Sequence, residues 1–312
     1  MTTDTLNLSK LAKYFSDEDD ARDLLEGMRW GKAGAVCPKC GGADPYKITP
    51  KPGSKTRKGL YKCKACRKQF TVTVGTVFED SHIPLSKWLL AIHLLASSKK
   101  GMSAHQLHRN LGISYKAAWF MAHRLRYAMK QGPMAALLDG VVEIDETYVG
   151  AKVKPGHRRH KNRPLKSKTP VVALVERGTG RVRTTIMPRV TASNLAKVIN
   201  ERVKYNQSLI VTDEVPMYGA IDLPHHETVN HHSGEYVRGD VYTNTVEGFF
   251  SLLKRGINGV YHHVSRGHLQ RYCDEFGFRY EHRKMTDGAR AKALVGLAEG
   301  KRLTYAQPAK AS

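Results

Sequence analysis

The stretch at residues 141–150, VVEIDETYVG, constrains the fold more than any other part of the sequence. Apolar Val142 and Ile144 alternate with the acids Glu143 and Asp145, and this period of two predicts a β-strand. Asp145 then lies in the middle of an apolar strand. A carboxylate there is costly to bury unless a cation or hydrogen bonds stabilise it. We therefore expect other parts of the chain to supply such a partner.

The net charge indicates a polyanionic partner. Lys and Arg total 51 against 28 Asp and Glu, a formal net charge of +23. Nucleic acid is the commonest partner for such an excess, although a merely soluble basic protein stays an alternative on charge alone. No apolar run reaches the length of a membrane span, and the N-terminus shows no secretory pattern. We therefore expect a cytoplasmic protein without a membrane partner.

Four of the five cysteines form two CxxC pairs, Cys37 with Cys40 and Cys63 with Cys66. Two close pairs joined by a longer loop can bring four thiolates into one tetrahedron, the geometry that Zn²⁺ prefers. The pattern predicts a zinc ribbon with a structural metal, and a redox pair is the less favoured alternative. Alternation in residues 69–78, QFTVTVGTVF, predicts a strand leaving the ribbon. Whether the ribbon contacts DNA or only scaffolds stays open.

Helices are predicted on both sides of the ribbon. Ser16, followed by acids, is the expected N-cap of the first helix. Residues 84–130 have helical spacing, and the turn at Gly112 fits a helix-turn-helix whose second helix presents Lys116 and Arg124 to DNA. Any two helices joined by a glycine turn share this spacing, so the assignment depends on the ribbon and the basic charge as well.

The third part of the chain alternates strands and helices. A hairpin is predicted over residues 170–188, a helix capped by Ser193 over residues 193–205, and a buried strand ending in Asp213. The order strand, strand, strand, helix, strand predicts an antiparallel meander whose first strand is then joined by a parallel fourth. In that arrangement Asp145 and Asp213 lie on adjacent strands.

A third acid, Glu247, opens the amphipathic helix predicted at residues 244–256, NTVEGFFSLLKRG. Ser251 and Lys254 lie on the same face of that helix because they follow at four and seven residues. If the helix lies over the strands, three carboxylates converge. Such a set suits a pair of Mg²⁺ (or Mn²⁺) ions, which prefer oxygen ligands and promote phosphodiester cleavage. Lys254 would then contact a DNA phosphate.

These acids, followed by Lys254, resemble the catalytic residues of DDE transposases. The run that begins at Asn244, NTVEGFFSLLKRGINGVYHHVSRGHLQRYCDEFGFRYEHR, resembles the signature of ISXO-like transposases of bacterial insertion sequences. The head of the chain, a CPKCG zinc ribbon followed by Trp-containing helices, is similar to that group too. The resemblance covers roughly residues 15–285.

The resemblance implies an RNase H-like catalytic domain in which Asp145, Asp213 and Glu247 hold Mg²⁺. It implies cleavage of double-stranded transposon ends to free 3′-hydroxyls, and their transfer to target DNA by a homodimer or higher oligomer. The expected location is the bacterial cytoplasm, on the nucleoid. The third acid varies in this family, so Asn244, one turn before Glu247, stays open as a contributor to that role.

Basic residues supply the expected DNA contacts. Residues 151–170 hold eight Lys and Arg and no acid, which predicts a phosphate-binding loop, with a merely solvated loop as the alternative. Histidines 225, 226, 231 and 232 are expected near DNA or the acids rather than in a second zinc site. The expected DNA-binding residues are Lys116, Arg124, Arg158, Arg159, Lys161, Arg163, Lys254 and Arg255.

The predicted fold class is α/β, with an RNase H-like mixed sheet preceded by a zinc ribbon and a helical segment. Four parts are expected: residues 1–80, 81–132, 133–285 and 286–312. Two other functions remain open: a metal-dependent nuclease or resolvase that joins no strands, and a zinc-ribbon regulator with an inactive nuclease-like domain.

Overall fold

A computed structural model describes residues 9, 17–132, 135–150, 168–230, 234 and 237–309. The chain divides into two compact units. The first combines Met1–Met129 with Lys284–Lys310, and the second is formed by Lys130–Arg283. Among the described helices, none has both the length and the apolar character needed to cross a membrane.

The first unit contains a small antiparallel ribbon in which the second strand pairs with both others. Its strands are β1 (Pro45–Lys47), β2 (Tyr61–Cys63) and β3 (Gln69–Phe70).

The predicted strand over residues 69–78 is wrong beyond Phe70. The chain instead folds back in successive turns, in which Val74 N–H donates to Thr71 O at 3.1 Å and Thr76 N–H donates to Thr73 O at 3.2 Å. The Thr76 hydroxyl also donates to Thr73 O, and Gly75 has a φ of +75°. Local hydroxyl hydrogen bonds and a left-handed glycine favour turns over a strand ladder.

Four helices surround the ribbon in sequence: α1 (Glu18–Trp30), α2 (Leu85–Ser97), α3 (Ala104–Leu111) and α4 (Tyr115–Met129). The N-cap of α1 is Asp17, whose side chain accepts from Asp19 N–H at 2.7 Å. Ser16, the expected cap, lies outside the described residues. A carboxylate caps the helix as well as a hydroxyl does and also complements the helix dipole.

The second unit is built on one five-stranded mixed sheet. Its strands are β4 (Val141–Gly150), β5 (Lys168–Glu176), β6 (Val182–Ile186), β7 (Leu209–Asp213) and β8 (His226–Val229). Their order in the sheet is β6-β5-β4-β7-β8, in which β4, β5 and β6 form an antiparallel meander and β7 lies parallel to β4. The predicted RNase H-like arrangement is therefore confirmed.

The fifth strand, β8, was not predicted from the sequence. It pairs in parallel with β7, but it is only four residues long and mostly polar, HETV. A short polar edge strand carries no hydrophobic alternation by which to find it.

Helices cover both faces of this sheet: α5 (Ala192–Arg202), α6 (Pro216–Gly219), α7 (Asn244–Gly256) and α8 (Arg266–Glu281). The N-cap of α5 is Thr191, whose hydroxyl accepts from Asn194 N–H at 3.3 Å. The prediction that Ser193 is the cap is wrong, because Ser193 already lies inside the helix, two residues after the true cap.

Alternation along the strands divides the apolar residues between two cores. Val171, Ala173 and Val175 pack with Phe249 and Phe276, which belong to α7 and α8. Val172 and Leu174, together with their neighbours on β4 and β7, pack on the other face with α5 and α6. Each fully buried side chain of this kind contributes about 1.5–3 kcal/mol. The first of these cores fixes α7 over the sheet.

The chain then returns to the first unit with α9 (Asp287–Leu297) and α10 (Ala306–Ala309). Between them, Val77 N–H donates to Ala298 O at 3.3 Å and Gly300 N–H donates to Gly75 O at 2.8 Å. The C-terminal segment thus packs with the turns that follow the ribbon, a placement that the linear four-part division does not include.

Candidate active site

Asp145 and Asp213 lie side by side at the sheet. The parallel register pairs Ile144 with Thr212, so the next residue on each strand is one of the two aspartates. Asp145 Oδ1 accepts from Glu146 N–H at 2.7 Å, and Asp213 Oδ1 accepts from Glu214 N–H at 3.1 Å. Each carboxylate is therefore held by the backbone that follows it.

Glu247 lies on the first turn of α7, and the Thr243 hydroxyl donates to its Oε1 at 3.1 Å. The helix and β4 enclose a cleft with a volume of about 690 Å³. Its lining is Asp145, Glu146, Thr147, Glu247, Phe250, Ser251, Lys254, Arg255, Asn258 and Gly259.

The acids are close enough to affect one another's ionisation. Burial, together with the charges of Glu146, Asp213 and Glu247, raises the pKa of Asp145 to about 7, although the Glu146 N–H acts to lower it. A cluster of acids that resists ionisation is stabilised by a cation, because the cation removes the repulsion between the carboxylates.

The acids nevertheless do not close around one point. Among the described His, Cys, Asp and Glu residues, the four ribbon cysteines are the only group of three or more placed to hold one metal ion, with ligand atoms that all lie within 4.8 Å of one another. Asp213 lies on the strand adjacent to Asp145, while Asp145 and Glu247 line the cleft. Its volume and oxygen donors fit hard cations that keep some of their waters.

Glu146 is held on the far side of the sheet. Its Oε2 accepts from the Tyr218 hydroxyl at 2.9 Å, and Tyr218 belongs to the core beneath α5 and α6. Burial raises the pKa of Glu146, and the Asp213 charge adds to this effect. Successive side chains of a strand point to opposite faces, so the Tyr218 contact fits a Glu146 that faces away from Asp145, although the residue also lines the cleft.

Glu143 is a site residue that sequence reasoning did not identify. Its side chain is fully buried, and its Oε2 accepts from Thr245 N–H at 2.8 Å and Val246 N–H at 2.9 Å. These are free N–H groups of the first turn of α7, where the helix dipole favours a negative charge. Glu143 therefore joins the strand that carries Asp145 to the helix that carries Glu247.

Arg177 completes this anchor. Its Nε donates to Glu143 Oε1, and its terminal nitrogens donate to Asp240 O and Tyr242 O. The guanidinium also lies over the Tyr242 ring, 3.5 Å from the ring centroid. One arginine thus neutralises the buried carboxylate and holds the segment that leads into α7. No short-range pattern links these residues, so the sequence offered no signal for the network.

The cationic residues predicted on α7 do line the cleft. Lys254 and Arg255 stand in its wall beside Ser251, and Arg255 Nε donates to Ser251 O at 3.2 Å. Asn244 is exposed at the first position of α7. Of the two candidates for the third metal ligand, Glu247 is the one that lines the cleft.

The DNA-contacting role expected for Arg124 does not fit its position. Its side chain is only 5% exposed, lies over the Phe120 ring and donates to Glu79 O. It packs inside the first unit because α4 turns this face toward the core. Lys116, on the same helix, is exposed and lies 4.8 Å from the centroid of the Tyr305 ring.

Several predicted contacts cannot be placed. Arg158, Arg159, Lys161 and Arg163 all lie within residues 151–167, outside the described residues, as do His231 and His232. The described His226 is half-buried at the sheet edge, where its Nε2 lies 2.8 Å from the Thr212 hydroxyl. Burial lowers its pKa. His226 therefore helps to join β8 to β7 beside Asp213.

The ribbon cysteines form a compact cluster. Sγ of Cys37 lies 3.7 Å from Sγ of Cys66, and Sγ of Cys40 lies 3.5 Å from Sγ of Cys63. A tetrahedral Zn²⁺ with Zn–S bonds of about 2.3 Å separates its sulfurs by roughly 3.8 Å. The observed spacing therefore fits this ion.

Backbone turns shape the cysteine cluster. Gly41 N–H donates to Cys37 O, and Arg67 N–H donates to Cys63 O, so each pair sits on a tight knuckle. The Cys66 N–H lowers the pKa of the Cys63 thiol to about 7, which favours the thiolate that metals bind. A Cβ on Gly42 would lie 3.3 Å from Cys63 Sγ, so a larger residue would crowd the cluster.

Two family models match the sequence. The ISXO2-like transposase domain matches residues 137–281, and the transposase zinc-ribbon domain matches residues 16–69. An uncharacterized protein in the transposable element ISH50 of Halobacterium salinarum is 33% identical over 284 residues. That alignment covers 86% of this chain and 92% of the relative.

Two solved structures show a looser likeness. The integrase catalytic core domain of HTLV-2, solved with magnesium in a dimeric form, is 14% identical and covers 46% of this chain and 84% of its own, with a TM-score of 0.27. An intasome of simian T-cell lymphotropic virus bound to the PP2A regulatory subunit B56 gamma is 17% identical. It covers 60% of this chain and 64% of its own, with a TM-score of 0.29. Assignment to a family therefore depends on the sequence matches.

Proposed function

Since the chain belongs to the family of ISXO2-like transposases, we propose that it cuts the ends of its insertion sequence and joins the freed 3′-hydroxyls to target DNA. The observation that most supports this reaction is that Asp145 and Glu247 line one cleft beside Lys254, with Asp213 on the strand next to Asp145. No covalent intermediate between enzyme and DNA is part of the proposal.

The three carboxylates fit Mg²⁺ or Mn²⁺, because these cations prefer oxygen ligands and need few of them from the protein. Divalent ions held there would activate the attacking oxygen and neutralise charge on the transferring phosphate. The chain's own contribution is to keep the acids in place. Thr243 orients Glu247 by its hydrogen bond, and Glu143 fixes the helix through two backbone N–H groups.

Lys254 and Arg255 bind the DNA backbone in this scheme. Both are exposed in the wall of the cleft, so each can approach a phosphate without the cost of desolvating a buried cation. Arg255 can bind two phosphate oxygens at once, whereas Lys254 acts as a point charge. Together they hold the scissile phosphate near the acids. Asn244, one turn before Glu247, stays a candidate contributor at the third metal position.

The first unit recognises the transposon ends in this proposal. A ribbon bound to structural Zn²⁺ holds the N-terminal part rigid, and the exposed start of α4 presents Ser114, Tyr115 and Lys116 to double-stranded DNA. The basic residues at 158, 159, 161 and 163 stay predicted phosphate contacts. Assembly as a homodimer or higher oligomer on paired ends, in the cytoplasm, also belongs to the proposal.

The test is a DNA reaction with purified protein. DNA that carries the sequences flanking its gene is incubated with the protein and Mg²⁺, and nicked and joined products are separated on denaturing gels. We expect both products, and their loss on Asp145→Asn. Glu201→Gln, a change at an exposed acid on α5, should react like the parent. Nicks without joined strands would favour a nuclease, and Mg²⁺-independent products would refute the acid site.

A further inference from the structure

A second concave surface adjoins the acidic cleft. It consists of two cavities of about 490 and 420 Å³, which share Tyr148 and Lys168. The larger cavity also shares Lys254 and Asn258 with the acidic cleft, so the three form one continuous path. We call the two cavities together the strand groove; its characteristic residues are Tyr148, Lys168, Arg189, His262, His263 and Arg266.

The charge of the strand groove is opposite to that of the cleft. Its two cavities are lined by the cationic residues Lys168, Lys254, Arg189 and Arg266, and the described lining residues include no Asp or Glu. The cationic side chains start next to the carboxylates and continue along the groove. A nucleic-acid strand fits this arrangement if one phosphate lies at the acids and the neighbouring phosphates lie along the cations.

The backbone that shapes the groove is strained. A π-helical turn, Ile257–Tyr261, extends α7, and His262 follows with a φ of +59°. His263 N–H donates to Tyr261 O at 2.6 Å across this residue, which closes a γ-turn of the rare positive-φ form. Both π-turns and strained non-glycine residues concentrate at functional sites.

A buried anchor maintains this strained turn. The Tyr261 hydroxyl donates to Glu275 Oε1 at 2.7 Å, and Glu275 is fully buried in an ion pair with Arg279 of α8. The turn is thus fixed to the core, and it projects His262 and His263 into the groove as exposed side chains.

We propose that the strand groove binds an unpaired segment of the DNA strand that leads away from the reacting phosphate. Tyr148, which is 37% exposed and lines both cavities, stacks on one base, while Lys168 and Arg266 contact phosphates. A base inside a duplex is already stacked on its neighbours, so only an unpaired base can offer its face to this ring. This inference rests on the proposed function, since it takes the acids to hold the reacting phosphate.

The experiment is photocrosslinking of the full chain with Asp145→Asn, which keeps the DNA uncut. The probe is a mixed-sequence duplex with an unpaired tail of about five nucleotides, each in turn replaced by 5-iodouracil, which crosslinks to stacked aromatic rings. We expect a crosslink at Tyr148 at one or two tail positions, mapped by mass spectrometry, and none there with a fully paired probe. Crosslinks to other residues alone would overturn the inference.

Affinity measurements with matched variants give an independent test. Stacking on one base supplies about 1–3 kcal/mol, so Tyr148→Leu should weaken binding of the tailed probe about 5- to 150-fold, and Tyr148→Phe should not. Lys168→Ala should lower the slope of log K against log salt by about one, whereas Lys197→Ala, at an exposed lysine on α5, should leave it unchanged. Equal losses for Phe and Leu would refute stacking.

The outcomes separate this site from the proposed function. A parent protein that cuts and joins DNA but gives no Tyr148 crosslink would contradict the strand groove and leave the transposase assignment intact. A Tyr148 crosslink in Asp145→Asn, combined with a parent protein that neither cuts nor joins DNA, would support the groove and contradict the assignment.

Discussion

Substitution of Glu143 should separate the anchoring of α7 from the chemistry of the acids. In Glu143→Gln, one amide oxygen replaces a carboxylate that accepts from Thr245 N–H, Val246 N–H and Arg177. The amide NH₂ group is itself a donor, and it then faces N–H donors at a position where a carboxylate oxygen accepted their hydrogen bonds. The change is nearly isosteric, so the core keeps its volume and the loss is electrostatic.

The expected magnitude follows from these contacts. Hydrogen bonds to charged groups contribute about 1.5–3 kcal/mol each, and breaking a buried pair costs about 3–5 kcal/mol. Because the remaining amide oxygen still accepts part of the set, we expect Glu143→Gln to lower the free energy of unfolding of the second unit by about 2–4 kcal/mol. Urea denaturation followed by circular dichroism measures this loss.

The rate of strand cutting by Glu143→Gln should fall by more than the loss of folded protein explains. A shift of about 1 Å in a reacting group can reduce a rate 100-fold, and Glu143 sets the position of the helix that bears Glu247. We therefore expect strand cutting to fall by roughly that factor at a temperature where the variant is fully folded.

Glu176→Gln provides the control for this experiment. Glu176 is also buried, on β5, and its side chain is held by Arg181, Thr179 and Asp139 N–H, all of which lie outside α7. It should destabilise the unit by a similar amount and leave cutting near the parent level. If the two variants cut DNA equally well, the anchoring role of Glu143 is refuted.

Three further predictions concern the ionisation of Asp145, zinc binding by the ribbon cysteines, and two basic residues of α4. The pKa of Asp145, about 7, lies above its ordinary value of 3.8, so ionisation opposes folding: metal-free protein should lose on the order of 2–4 kcal/mol between pH 4 and pH 8. In urea titrations Asp145→Asn should remove most of that pH dependence, and the raised pKa of Glu146 accounts for a remainder. Cys63→Ser should release the ribbon's bound zinc, measured by elemental analysis, while Cys273→Ala, at the cysteine outside the cluster, should retain it; equal zinc content would contradict the tetrahedral site. Arg124→Ala should lower the thermal midpoint because it leaves a packed guanidinium site empty, whereas Lys116→Ala should leave that midpoint unchanged and weaken DNA binding; the reverse pattern would contradict the positions of the two side chains.

The sequence was most informative where periodicity and chemistry agree. β4 was predicted with its bounds, because apolar alternation and β-branched residues favour a strand in any context. The adjacency of Asp145 and Asp213 followed from the order of elements, since a helical crossover forces the next strand parallel to the first. The cysteine cluster was predicted from the two CxxC pairs, because the spacing of its ligands is enough to identify a zinc site of this kind.

Tertiary contacts account for what the sequence did not reveal. Alternation placed Glu143 on one face of β4, but nothing local indicated that its partners would be N–H groups about 100 residues later in the chain. Arg124 was expected on the DNA side for the same reason: helical spacing defines faces without saying which face the rest of the unit covers. The π-turn before His262 was equally hidden, because it is anchored by the hydrogen bond from Tyr261 to Glu275, a buried residue of the next helix.

Cation binding by the three acids is the property on which the proposed reaction depends most directly. Titration of zinc-loaded protein with Mn²⁺ at pH 8, followed by electron paramagnetic resonance, measures that binding without any DNA reaction. We expect a site in the parent protein whose affinity falls at least about tenfold on each of Asp145→Asn, Asp213→Asn and Glu247→Gln, and is unchanged by Glu201→Gln. Equal Mn²⁺ affinity in all five proteins would contradict the proposed site.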